Sequence, residues 1–307
     1  MKTRREFIQG STACALLAGI NPGELRAQIK SRISKRIPVS GEALAVIGMG
    51  SWITFDVSPR SSRQQNCTAI LQKFFAQGGG MIDSSPMYGR AEDVIGNGLA
   101  AIGNFDSLFS ATKVWIPTAP AGKLQMRHCV GLWGLDTFDL IHVHNMLDWR
   151  SHLPWLQEWK SQGRLRYCGI TTSHGRRHSE METFIRKQPF DFVQFSYNMD
   201  HREAEQRLLP LAAEHGKAVV INRPFDGGDL FRRVRGKPLP GWAGEIDCQN
   251  WAQYFLKFIV SHPAVHCAIP ATSNVSHMQE NMGALYGRMP SARMRREMLV
   301  YFESVAA

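Results

Sequence analysis

The sequence predicts a single α/β domain folded as a (β/α)8 TIM barrel. Three observations lead there. Eight short apolar runs are spread along the chain, at residues 44–48, 81–84, 108–112, 139–144, 165–171, 192–195, 218–221 and 267–269. The segments between them place apolar residues near a 3.6-residue period. No linker, low-complexity tract or charge block interrupts residues 35–307. Eight strands, each followed by a helix, are what such a barrel needs, and it uses about 250 residues as one domain.

The elements follow in chain order. Residues 34–39 precede the first barrel strand and read as one arm of a small hairpin plugging the barrel bottom. Helical faces are carried by Ile70, Leu71, Phe74 and Phe75, by Trp155, Leu156 and Trp159, and by Leu208, Leu209, Leu211 and Ala212. Gly78, Gly79, Gly80, Gly163 and Gly216 stand where helices close and strands open, positions that favour left-handed or tight turns. Residues 225–247, rich in Gly and Pro, are expected to form a long loop over the C-terminal face, where such barrels do chemistry. Residues 289–307 read as a C-terminal helix.

Composition narrows the function classes. The 307 residues are 44% hydrophobic and 20% charged, ordinary for a globular chain with a large core. The net charge is +10, with an isoelectric point near 9.5. Eight basic residues fall within the first 36 positions. The cluster Arg232, Arg233, Arg235 and Lys237 carries no nucleic-acid-binding motif beside it, so it reads as a solvated face or an anionic-cofactor contact rather than a nucleic-acid surface. The six cysteines show no CxxC spacing. Cys14 falls in the leader, and the remaining five form neither a disulfide framework nor a structural zinc pattern.

The N-terminus reads as an address. Thr3-Arg4-Arg5-Glu6-Phe7-Ile8 resembles a twin-arginine (Tat-type) signal, followed by an apolar run at residues 13–20. That run is too short to span a bilayer in the mature protein. Cleavage after Ala27 leaves residues 1–27 as signal peptide and 34–307 as barrel, with the Tat machinery as partner and a bacterial periplasm or exterior as destination.

Four side chains carry the chemistry. Asp83, Tyr88, Lys113 and His144 each sit at or just beyond the end of an apolar run. An acid, a phenol, an amine and an imidazole are equipment for protonating a carbonyl oxygen while something else delivers hydride. A free phenol has a pKa near 10, and a neighbouring ammonium lowers it. Lys113 is expected to supply that charge, held by Asp83. His142 lies two residues before His144, so both rings share one strand face. His142 is expected deeper, as a hydrogen-bonded core residue. A His-x-His pair on a barrel strand also resembles a zinc pair, but further His and Asp ligands on later strands are missing, so no metal is expected.

These residues are similar to the motifs of the aldo-keto reductases, and the resemblance covers roughly residues 34–307. Gly48-Met49-Gly50-Ser51-Trp52 resembles the first-strand Gly-x-Gly-Thr-Trp. Asp83, Tyr88, Gly89 and Glu92 match the most specific motif, and Lys113 the lysine ending the third strand. Asp139 through His144 resembles Asp-Leu-x-x-x-His. Residues 159–170 resemble Leu-Lys-x-x-Gly-Lys-Ile-Arg-x-x-Gly-Val, and residues 269–281 the late cofactor motif.

The resemblance implies hydride transfer between NADP(H) and an aldehyde or ketone, or the corresponding alcohol, with Tyr88 as general acid or base. It implies Thr171, Thr172, Gln194, Arg223, Thr272, Ser273, Asn274, Glu280 and Asn281 as cofactor contacts. Thr171 and Thr172 replace a usual Ser-Asn pair, and Asn222-Arg223-Pro224-Phe225 stands where an aromatic platform often precedes Ser-Pro-Leu. Ala271 and His277 occupy positions where cations often hold a 2′-phosphate, so NAD(H) is implied as a second choice. Asn274 onward also reads as a plain helix start, with Ser276 as its cap. Trp115, Trp149, Trp242 and Phe225 are candidates to line a substrate pocket. The altered nicotinamide contacts keep a second reading open, a non-catalytic or regulatory binding module on the same scaffold. The complete set of four argues against it.

Overall fold

Alternation along the strands explains both the barrel and its polarity. The computed structural model describes residues 31–306; the signal expected over residues 1–27 lies outside the described residues. Eight parallel strands pair in sequence order: β3 (Met49–Gly50), β4 (Met81–Asp83), β5 (Phe109–Val114), β6 (Leu140–Val143), β7 (Tyr167–Thr171), β8 (Phe192–Ser196), β9 (Ala218–Asn222) and β10 (Cys267–Ala268). Bridges from Ile47 to Ala268 and from Gly50 to Ala271 close the ring. This is the predicted (β/α)8 fold in one α/β domain.

Residues two apart on a strand face the same way. The inward series therefore starts apolar: Met81, Phe109, Leu140, Tyr167, Phe192 and Ala218 fill the lower barrel. It ends polar at the C-terminal mouth, where Asp83, Lys113, His142, Gln194 and Asn222 continue the same faces. Gly169 lies opposite His142 across the β6–β7 ladder, and a Cβ there would fall 2.4 Å from the imidazole. A glycine at this register is what makes room for the ring.

The bottom is closed by a hairpin of β1 (Ser34–Arg36) and β2 (Ala43–Ala45), with Ile37 and Leu44 buried against the lower layer. The run at 44–48, predicted as the first barrel strand, is thus divided. Its start belongs to the hairpin, and the barrel strand begins near Ile47. Hairpin arm and barrel strand are both apolar because both pack on the core, so hydrophobicity alone does not separate them.

The helices are α1 (Ser62–Ala76), α2 (Ala91–Ile102), α3 (Ala119–Trp133), α4 (Trp149–Ser161), α5 (His178–Lys187), α6 (Leu208–Glu214), α7 (Asp229–Arg233), α8 (Trp251–Val260), α9 (Val275–Gly283) and α10 (Ala292–Val305). Ser61 caps α1 and Asn250 caps α8, each accepting a first-turn N–H. Ile70, Leu71, Phe74, Trp155, Leu156, Trp159, Leu208 and Leu209 are buried as their spacing predicted. The segment 225–247 is not wholly loop: α7 and a 3-10 turn at Ala243–Ile246 interrupt it, anchored by buried Leu230 and Ile246. All five cysteines among the described residues are buried free thiols. Among the described residues no helix is long and apolar enough to cross a membrane.

Candidate active site

The polar end of the barrel is organised by an ammonium with no solvent. Lys113 is fully buried on β5, with Nζ 2.5 Å from Asp83 Oδ2 and 2.7 Å from the Ser84 carbonyl. Burying a charge costs several kcal/mol unless it is paired and hydrogen-bonded. Burial pulls the Lys113 pKa down, but the Asp83 carboxylate and Tyr88 outweigh it and hold the amine above its ordinary value. Asp83 Oδ1 accepts from Gln194 Nε2 at 3.0 Å. Asn222 Nδ2 donates to the Thr172 carbonyl at 2.9 Å and to Gln194 Oε1 at 3.4 Å, while Ser196 donates to Asn222 Oδ1 at 2.6 Å. One hydrogen-bonded chain thus runs from β5 through β4 and β8 to β9.

Tyr88 stands in the loop after β4. Its N–H donates to the Ser85 carbonyl at 2.9 Å, and Gly89 follows in the left-handed region at φ 61°. A Cβ on Gly89 would also strike Asp56, which accepts the Arg90 N–H at 3.0 Å. Lys113 Nζ is 5.1 Å from the Tyr88 ring centre, and the His144 ring meets Tyr88 edge-on at 5.7 Å. Burial pushes the phenol up. Lys113 pulls it down, as expected, but by less, so the phenol rests above its ordinary value and not below it. The expected lowering is corrected in this respect: a site dry enough to hold the ammonium also disfavours phenolate.

His144 directly follows β6 and opens a 3-10 turn, His144–Met146. Its Nδ1 lies 2.8 Å from Ser85 Oγ, and Trp115 packs on the ring at 5.0 Å. Burial and Lys113 push its pKa down to about 2, so the ring is neutral. His142 is fully buried beneath it, and neither ring nitrogen has a hydrogen-bond partner among the described residues. The expectation of a hydrogen-bonded core histidine is corrected: the ring is held by packing against Gly169, and burial with Lys113 keeps it neutral. Among the described residues no three His, Cys, Asp or Glu side chains gather to hold a metal.

A cavity of about 410 Å3 opens over this group. Asp83, Tyr88, His144, Thr171, Thr172, Gln194 and Arg223 line it, with Lys113 beneath. Thr272, Ser273, Asn274, Glu280 and Asn281 do not line it; they lie beyond Ala271, at and along α9. Asn274, rather than the expected Ser276, caps that helix, accepting the Ser276 N–H at 2.8 Å. The expected aromatic lining is partly corrected. Phe225 lines the cavity, whereas Trp149 packs on Phe184, Trp242 on Tyr254, and Trp115 behind His144. The apolar rim is instead Trp52, Ile53, Met87 and Phe231, all well exposed.

Backbone strain collects around this mouth. Ile53, Asn145, His174 and Arg223 line the cavity with φ of 64°, 50°, 60° and 51°. Left-handed geometry is uncommon outside glycine and unusual for a β-branched residue such as Ile53. Arg223 is held by Asp226 at 2.7 Å beside Gly227 and Gly228.

The model of the aldo/keto reductase family matches this chain over residues 46–296. The chain belongs to that family. Methylglyoxal reductase YeaE of Escherichia coli is 24% identical over 85% of this chain and 92% of its own length. Pyridoxine 4-dehydrogenase of the same organism is 25% identical over 70% and 79%. An aldo-keto reductase from Klebsiella pneumoniae in complex with NADPH matches the fold with a TM-score of 0.73, at 20% identity, over 89% of this chain and 95% of that one. Aldo-keto reductase AKR11C1 from Bacillus halodurans, in its holo form, also gives 0.73, at 18% identity, over 89% and 96%.

One residue of this aldo-keto reductase's Tyr88 motif is buried away from the cavity. Glu92 on α2 accepts from the Thr112 hydroxyl through Oε1, while Oε2 has no conventional partner and the Cys129 thiol beside it. Burial outweighs these contacts and raises its pKa. A carboxyl raised in the folded state contributes fully below its unfolded pKa, near 4.5, and its contribution is lost as pH climbs through the folded value. Glu92→Gln keeps an acceptor for Thr112 without that loss. Urea midpoints are expected to show the variant gaining on wild type as pH rises from 4 to 8; a pH-independent difference contradicts a raised Glu92 pKa.

Proposed function

We propose that the protein reduces aldehydes or ketones to alcohols with NADPH, or runs the reverse oxidation, with NADH as the second choice of cofactor. The observation that carries this is the gathering of Asp83, Lys113, Tyr88 and His144 at the floor of one cavity. The residues present fit a nicotinamide dinucleotide. Amide and hydroxyl groups of Gln194, Asn222, Thr171 and Thr172 line the same cavity as Tyr88 and suit a carboxamide. The Arg223 guanidinium and the Gly227–Gly228 turn line the same cavity and suit phosphates. Thr272, Ser273, Asn274, Glu280 and Asn281, past Ala271, supply neutral and acidic groups for the adenosine portion.

When bound, the nicotinamide supplies the hydride that reduces the carbonyl carbon. The protein's part is the proton. Tyr88, kept protonated by burial, gives its hydrogen to the carbonyl oxygen as charge develops there. Lys113 stabilises the phenolate left behind, and Asp83 holds Lys113 charged and in place. His144, neutral, orients the oxygen by a hydrogen bond and carries no charge of its own. Trp52, Ile53, Met87, Phe225 and Phe231 give the substrate end an apolar wall that favours uncharged carbonyl compounds.

Tyr88→Phe removes the transferable proton and leaves the ring in place. Turnover is expected to fall by about two orders of magnitude or more across a panel of methylglyoxal and aromatic aldehydes. Retention of wild-type turnover by this variant sinks the mechanism. We further propose export by the twin-arginine route, on the strength of Arg4 and Arg5 before Phe7-Ile8. Fractionation is expected to find the chain outside the cytoplasm, and to find an Arg4→Lys, Arg5→Lys variant retained inside; cytoplasmic wild-type protein overturns this.

A further inference from the structure

Ser85 is fully buried between the acid and the imidazole, and the mechanism above leaves it without a role. Its Oγ has two neighbours. The Met87 N–H points at it from 3.2 Å, and His144 Nδ1 lies 2.8 Å away. A hydroxyl owns one hydrogen and two lone pairs. The Met87 amide is a donor only and takes a lone pair. Among the described residues Nδ1 is then the single acceptor within reach of the buried O–H. Were Nδ1 protonated, the Ser85 hydrogen would be left without a partner in a site with no solvent, at the cost of a buried unsatisfied donor. His144 Nε2 has no hydrogen-bond partner among the described residues, and the ring lines the cavity beside Tyr88.

We propose that Ser85 is a positioning residue that fixes His144 in its Nε2–H tautomer, so that the edge facing the cavity is a hydrogen-bond donor to a carbonyl oxygen. The same residue's carbonyl accepts the Tyr88 N–H at 2.9 Å. One short turn therefore sets both the position of the phenol and the polarity of the imidazole. With the other tautomer, the cavity would meet a lone pair that repels a carbonyl oxygen. Neutrality of the ring, imposed by burial and Lys113, is what makes tautomer choice matter.

The value of the Nε2–H donor to catalysis rests on the proposed carbonyl chemistry; the tautomer does not, and the test separates the two. Two-bond 1H–15N correlation spectra of the 15N-histidine-labelled full chain read the state of each ring nitrogen, with His144→Gln assigning the signals. Wild type is expected to show a protonated Nε2 and an unprotonated Nδ1. Ser85→Ala is expected to move His144 toward the Nδ1–H form and lower kcat about tenfold, with dinucleotide affinity within twofold of wild type. Ser85→Thr, which restores a hydroxyl, is expected to recover the Nε2–H form. A wild-type Nδ1–H tautomer overturns the proposal, as does an unshifted tautomer in folded Ser85→Ala. If no carbonyl is turned over yet the tautomer shifts as described, Ser85 keeps its role and the carbonyl reading falls.

Discussion

The ion pair between Lys113 and Asp83 is the constraint around which the mouth of the barrel is arranged. A fully buried ammonium at the end of a strand is costly unless its charge and hydrogens are all answered. Asp83 answers the charge from the neighbouring strand, and the Ser84 carbonyl takes a hydrogen. Asp83 then needs a partner for its second oxygen, which Gln194 provides, and Gln194 in turn is held by Asn222. Lys113, Asp83, Gln194 and Asn222 are thus each required by the one before, while His142 on the same face stands outside that chain.

The same dryness sets the state of the other groups. Burial keeps the Tyr88 phenol protonated and the His144 ring neutral, although both stand near one cation. In the proposed mechanism this divides the labour between a group that holds a transferable proton and a group that only directs a hydrogen bond. Lys113 does not need to make Tyr88 acidic at rest. In the proposed mechanism its larger effect comes when the phenol loses its proton and a negative charge appears beside the ammonium. Strain at Ile53, Asn145, His174 and Arg223 lies in the loops that frame this centre, supported by a barrel that is packed and rigid below.

Much of this was legible in the sequence, for reasons that can be traced to particular residues. Strand positions were readable because buried parallel strands are short and apolar, and helix faces because Ile70, Leu71 and Phe74 or Trp155 and Trp159 recur at helical spacing. Asp83, Tyr88, Lys113 and His144 stood out because polar groups at strand ends face a barrel mouth. The hairpin arm at Ala43–Ala45 was confused with the first barrel strand because both are apolar. The rim of Trp52, Ile53, Met87 and Phe231 was missed, since its placement depends on left-handed loop backbone that no periodicity reports. Ser85 was passed over because a serine two residues after an aspartate is ordinary; only the 2.8 Å approach to His144 gives it meaning.

The proposed function requires that this mouth accept a nicotinamide dinucleotide with its reactive end over Tyr88. Trp52 on the cavity rim is a natural reporter. The most direct measurement is a titration of the folded, nucleotide-free protein with NADPH, and with NADH beside it, following tryptophan fluorescence. Saturable quenching by NADPH is expected, tighter than or comparable to that by NADH. Absence of binding by both would contradict it, and would mean that Thr171, Thr172, Asn222 and Ala271 have cost this chain its cofactor.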